Sequence, residues 1–201
     1  MLEKKQNVFD DFFAAAEYLI RERITTPAQL AIMGTSNGGL LMGVAMTQRP
    51  ELFRAVICGA PLLDMLRYQN FKIAKLWVPE YGSSDNAEQF QYLFKYSPYQ
   101  HVKAGLSYPA VLFWSGDGDT RVDPLHARKM TALMQASAAP GRPIILRYDT
   151  LTGHSGGRSV DQQLDFDADL LSFAASQAGM LSALDGKNAR SPSRAPAPAP
   201  R

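Results

Sequence analysis

Apolar positions along the chain fall into two kinds of run. From Val8 to Arg23 they recur three or four apart (Phe9, Phe12, Phe13, Ala16, Leu19, Ile20), which predicts an amphipathic helix broken by Thr25-Thr26-Pro27. Leu30-Ala31-Ile32-Met33 is short, apolar and followed by Gly34-Thr35-Ser36-Asn37-Gly38-Gly39, a strand running into a tight turn. Helical spacing returns from Leu40 to Arg49 and stops at Pro50, and Ala55 to Gly59 reads as a second strand. Residues 61–108 are less regular, rich in aromatic and polar side chains, and predicted to be helical only in parts. Val111-Leu112-Phe113-Trp114 is a third strand, Pro124 opens a helix through Leu125, Met130, Leu133 and Met134, and Ile144 to Tyr148 is a fourth strand. A last helix is expected from about Val160 to Ala178.

Short apolar strands alternating with amphipathic helices predict an α/β fold, a mostly parallel sheet of about four strands with helices on both faces. No internal repeat is visible. From residue 183 the chain turns to Ser, Arg, Ala and Pro, a composition too poor in apolar surface to offset its ordering entropy. The expected organisation is a folded unit over 1–182 and a disordered tail over 183–201.

Composition adds exclusions. The 201 residues suffice for one core, and the net charge of +2 is too small to argue for nucleic acid or an anionic membrane surface as partner. The single cysteine, Cys58, rules out an internal disulfide and a multi-cysteine zinc site, and its apolar run predicts that it is buried. No apolar run approaches the roughly 18 residues of a membrane span, and the N-terminal Lys4-Lys5 pair lacks the apolar stretch of a signal peptide. A cytoplasmic location is the expectation for the chain as written, although a longer parent could be periplasmic. No phosphate loop and no convincing histidine metal site appear, so no cofactor is expected.

Gly34-Thr35-Ser36-Asn37-Gly38 fits Gly-x-Ser-x-Gly between a strand and a helix, the setting of a nucleophile elbow. Alone the pattern could be an ordinary glycine-rich turn. Asp119 follows the third strand and His154 follows the fourth, so Ser, Asp and His come in the chain order of an α/β-hydrolase. All three loops leave the carboxyl edge of the sheet, where open α/β sheets place their sites. A serine hydroxyl needs a neutral imidazole to take its proton, and a carboxylate fixes the imidazole tautomer and stabilises its cation. The reading is therefore Ser36 as nucleophile, His154 as general base and Asp119 as orienting acid, with Asn37 N–H facing the oxyanion. Asp117 competes with Asp119 for the acid role. His126 lies in a helical pattern and reads as structural, and His101 reads as a surface residue.

These residues resemble the prolyl oligopeptidase family (serine peptidase family S9). The resemblance is carried by Lys5-Gln6-Asn7-Val8-Phe9-Asp10-Asp11-Phe12, Gly34 to Leu41, Gln48-Arg49-Pro50-Glu51-Leu52-Phe53, Tyr81-Gly82, Lys95-Tyr96-Ser97-Pro98, Asp119 to His126 and Gly153-His154. It implies the same triad and the same role for Asn37. It also implies that Arg121 bonds a peptide carbonyl of the substrate, against a plain salt bridge as the alternative, and that Tyr96 and Val122 line a proline pocket. Where the family stacks a tryptophan on the substrate proline, the expectation here is Tyr92, whose ring can still stack. The family's β-propeller, first catalytic-domain strands and second oxyanion donor, a tyrosine hydroxyl, lie upstream of the motifs matched here. The expected activity is serine-peptidase hydrolysis of short peptides or amides, with short-chain ester hydrolysis as rival and an assembly piece of little or no activity as a third reading. The strand at Ile32 would expose a sheet edge, predicting association of two copies across it.

Overall fold

The structure is a computed structural model and describes residues 1–154 and 156–180. The tail expected over 183–201 lies outside the described residues. In chain order the elements are α1 (Gln6–Arg21), β1 (Ala31–Thr35), α2 (Asn37–Gln48), β2 (Ala55–Gly59), α3 (Val78–Tyr81), α4 (Ala87–Tyr96), β3 (Ala110–Gly116), α5 (Leu125–Ser137), β4 (Ile144–Asp149) and α6 (Val160–Gln177), with short 3-10 turns between. The irregular stretch after β2 contains most of those turns together with α3 and α4. Asn86 starts α4 by accepting from the backbone N–H of Glu88 and Gln89. Ser159 and Gln162 form a reciprocal capping box at the start of α6.

The four strands are all parallel and lie in the order β1-β2-β3-β4. Because the sheet grows in one direction, right-handed crossovers put every connecting helix on the same face. That face holds the main core, where Val56, Cys58, Val111 and Phe113 meet Phe9 and Phe13 of α1, Leu40 and Val44 of α2, and Met130 and Met134 of α5. The alternate positions Ile57, Leu112 and Trp114 point the other way and pack on Phe166 and Leu170 of α6. A single helix is too narrow to cover four strands. Met33 of β1 is 63% exposed on one flank and Ile145 of β4 is 43% exposed on the other. Helix α1 packs on the α2 side of the sheet and leaves the outer edge of β1 without a strand partner among the described residues. Among the described residues, no helix is long and apolar enough to cross a membrane.

One buried polar cluster ties α5 to the loop after β2. His126 is buried, and its Nδ1 accepts from the backbone N–H of Leu63 (3.3 Å) and Asp64 (3.2 Å), which places the ring proton on Nε2. The fully buried Asp64 carboxylate accepts from Lys129, from Gln100 (2.9 Å) and from Arg67 (3.0 Å). Burial alone would raise the Asp64 carboxyl, but these partners hold it below its usual range. Burial, helped by the nearby Lys129 charge, pushes the His126 imidazole from 6.5 down to about 4.

The unfolded chain therefore takes up a proton at His126 before the folded one does. The stability from keeping this ring neutral is complete above pH 6.5 and drains away as pH falls towards 4. The loss should be on the order of 3 kcal/mol. Asp64 adds its own loss only below its ordinary value of 3.8. Urea unfolding at pH 7 and pH 4.5 is expected to show the His126 loss, and equal stability at the two would contradict it.

Candidate active site

The turn between β1 and α2 is tight because its residues allow it. Ser36 has φ 62° and ψ −118°, a conformation that costs a non-glycine residue about 1–3 kcal/mol and persists only when its surroundings impose it. Here Ser36 N–H donates to the Gly59 carbonyl of β2 (2.9 Å), and Leu40 N–H donates to the Ser36 carbonyl in the first turn of α2 (3.1 Å). A Cβ on Gly34 would stand 2.4 Å from the Gly38 carbonyl oxygen, so glycine there lets the chain fold back on itself. Helix α2 begins at Asn37, three residues earlier than the apolar spacing predicts, because the elbow itself belongs to its first turn. The first amides of a helix have no partner within it, so Asn37 N–H sits where a negative charge next to Ser36 would be welcome.

Asp119 and His154 meet across the ends of β3 and β4. The fully buried Asp119 accepts from the backbone N–H of Arg121 and of Val122 through Oδ1, both at 2.9 Å. Its Oδ2 lies 2.7 Å from His154 Nδ1. The His154 loop comes close because Gly116 has no side chain: a Cβ there would be 2.4 Å from the Thr152 carbonyl oxygen. Gly118 N–H donates to that same carbonyl (3.0 Å). At the base of the loop, Asp149 accepts from Leu151 N–H (3.0 Å) and pairs with Arg158 (3.3 Å). Burial works against ionisation of Asp149, and Leu151 N–H, the Thr152 hydroxyl and the two arginines 147 and 158 overcome it, leaving its carboxyl below the ordinary range. Of the two aspartates in the turn after β3, Asp119 faces the imidazole, while Asp117 is exposed and accepts from the Tyr148 hydroxyl.

Ser36, Asn37 and Arg121 line one cavity of about 160 Å³, together with Leu62, Trp77, Glu80 and Tyr81. The Arg121 guanidinium makes no ion pair among the described residues and is free to meet an acceptor there. No hydrogen bond joins Ser36 Oγ to His154 among the described residues; the imidazole bond there is to Asp119. Tyr92, Tyr96 and Val122 are not among the lining residues. Tyr96 and Val122 are buried in the main core, Tyr96 against Phe9, and Tyr92 packs its hydroxyl behind Gly82. The aromatic residues that line this cavity are Trp77 and Tyr81. The spacing of Trp77 and Tyr81, one helical turn apart in Trp77-Val78-Pro79-Glu80-Tyr81, was the available signal. His126 is walled into the core, and His101, half-buried, contacts the Ser97 carbonyl (2.9 Å).

Comparison with known proteins fits this geometry. The chain is 44% identical over 179 residues to a prolyl endopeptidase of Elizabethkingia miricola, covering 89% of this chain and 25% of that one. It is 42% identical over 174 residues to a prolyl endopeptidase of Dictyostelium discoideum, covering 85% and 23%. Among solved structures, one from a study of two prolyl endopeptidases and their inter-domain dynamics superposes with a TM-score of 0.87 at 50% identity, covering 89% of this chain and 26% of that one. A post-proline cleaving enzyme from Rickettsia typhi superposes with a TM-score of 0.85 at 38% identity, covering 89% and 26%. The chain thus spans about a quarter of the length of the curated relatives it matches. Residues 1–181 match the model of the Prolyl oligopeptidase family, and the chain belongs to that family.

Proposed function

We propose that this chain carries the nucleophile, acid and base of a serine peptidase that cleaves short peptides or amides, including bonds after proline. The observation that supports it most is the pairing of a buried Asp119 with His154 on the same sheet edge as a strained, cavity-lining Ser36. Asp119 holds the Nδ1 proton of His154, which turns Nε2 into the acceptor. Ser36 Oγ forms a bond to the carbonyl carbon as its proton passes to Nε2, and the carbonyl oxygen becomes an anion facing Asn37 N–H. Collapse breaks the C–N bond, the amine leaves with the proton from His154, and water then repeats the sequence to release the acid. Arg121 is placed to bond a substrate carbonyl, and Trp77 offers a flat surface for a proline ring.

Hydrolysis of simple esters is the rival reading, since an ester's leaving group needs less protonation than an amine. A fluorophosphonate probe is expected to label Ser36 in the intact chain, and a proline-containing peptide anilide to be cleaved alongside p-nitrophenyl acetate. Cleavage of the acetate alone would favour the esterase. No labelling at all would sink both and support an assembly piece. The outer edge of β1, without a strand partner among the described residues and beside the exposed Met33, supports association with a second copy.

A further inference from the structure

Lys5 is one of the few charged side chains in the described part of the molecule with almost no exposure, 5%, and nothing in the triad chemistry uses it. Taking an ammonium out of water costs several kcal/mol unless its surroundings compensate. Lys5 Nζ donates to Glu80 Oε1 at 2.8 Å and to Asn37 Oδ1 at 3.3 Å, and lies over the Tyr81 ring, 5.0 Å from its centre. Tyr81 Oη donates to the same Asn37 Oδ1 at 2.8 Å. Two residues from separate segments, Lys5 and Tyr81, thus converge on one side-chain carbonyl. Its owner, Asn37, directly follows Ser36 and is exposed at the cavity rim, where an asparagine side chain would otherwise rotate freely.

A lysine whose only task was to tether the start of α1 would need Glu80 alone. The second bond, aimed at the first residue of α2, brings a positive charge to the end of a helix that already carries partial positive charge. The ion pair with Glu80 at 2.8 Å offsets that repulsion and holds the ammonium against Asn37 Oδ1. Clamping the Asn37 side chain from two sides restrains its χ1 and, through it, the backbone torsion that aims its N–H.

We propose that Lys5 is a positioning residue: with Tyr81 it locks the Asn37 side chain and thereby holds Asn37 N–H towards the oxyanion formed at Ser36. The inference rests on the hydrolase reading for its catalytic consequence, while the clamp itself is a structural claim that can be tested without turnover.

Lys5→Met is expected to lower kcat for p-nitrophenyl acetate about 10- to 100-fold with KM nearly unchanged, the mark of an interaction made only in the transition state. Tyr81→Phe, which removes only the other bond to Oδ1, should give a smaller loss of the same kind and keeps the ring in place if Lys5→Met folds poorly. In an Asn37→Ala background, which keeps the backbone N–H but removes the clamped group, Lys5→Met should change kcat by less than about twofold. A full Lys5→Met loss in that background would overturn the proposal, because a plain tether would act in both. The 15N heteronuclear NOE of the Asn37 amide should fall in Lys5→Met and in Tyr81→Phe. An equally rigid amide in wild type and both variants overturns the clamp whether or not the chain turns over ester. Failure of the wild type to react with a fluorophosphonate would remove the hydrolase reading and leave the amide measurement to decide the clamp.

Discussion

Ser36→Ala is expected to reduce hydrolysis by about 10⁴- to 10⁶-fold while leaving the melting transition in place. The size of the loss follows from what the hydroxyl does: without Oγ no acyl-enzyme forms, and only water attack assisted by the remaining polar groups is left. The fold should survive because Ser36 contributes its backbone rather than its side chain, through the bonds to Gly59 and Leu40. Alanine still pays the cost of the positive φ, as serine does. His154→Ala should lose about as much, since nucleophile and base act as a unit and their losses do not add. His126 supplies the control. It is buried and caps two backbone amides, so His126→Ala will cost stability, but turnover per folded molecule should be largely kept. Rates normalised to the concentration of folded protein, read from near-UV circular dichroism, make the comparison, and equal losses for His126 and His154 would overturn the assignment of the base.

Asp119→Asn should cost about 10⁴-fold in kcat with little change in fold. The carbonyl oxygen of an asparagine can still accept from Arg121 and Val122 N–H, so the turn after β3 should keep its shape. The nitrogen then occupies the place of Oδ2, 2.7 Å from His154 Nδ1. An amide nitrogen only donates, so Nδ1 must become the acceptor and the ring proton moves to Nε2. An imidazole protonated at Nε2 cannot take the proton of Ser36. Asp117→Asn touches only the contact with Tyr148 and should leave kcat near the wild-type value. If Asp117→Asn were the damaging change, the acid would be misassigned.

The apolar spacing determined the class of fold, because the two central strands are short apolar runs buried on both faces, as Val56, Ile57 and Cys58 are. Strand–turn–helix order likewise made the elbow at Ser36 legible, since Gly-x-Ser-x-Gly has meaning only in that context. The chain order of Ser, Asp and His depends on topology alone, and local patterns report topology well in a sheet built by successive crossovers. The choice between Asp117 and Asp119 was different in kind. The two are two residues apart in the same turn, and only the path of the loop after β3, pulled in by the contact of Gly116 with Thr152, sets one against His154 and the other against Tyr148.

The cavity wall was also a matter for the tertiary structure. Tyr92 and Tyr96 stand in an amphipathic helix whose apolar side looks equally suited to a pocket or a core, and packing against Phe9 assigned Tyr96 to the core. Trp77 and Tyr81 sit in a run of short helical turns with no periodicity long enough to show which way they face. Lys5 was still less visible. A lysine near the start of a helix ordinarily reads as solvated, and its burial follows from the meeting of α1, α2 and α3, segments far apart in the chain. Local spacing along the sequence by itself determined the strands, the turn at Ser36 and the chain order of Ser36, Asp119 and His154. Which polar groups face one another across loops was decided only by the tertiary structure, because those contacts join residues whose separation in sequence carries no information about their separation in space.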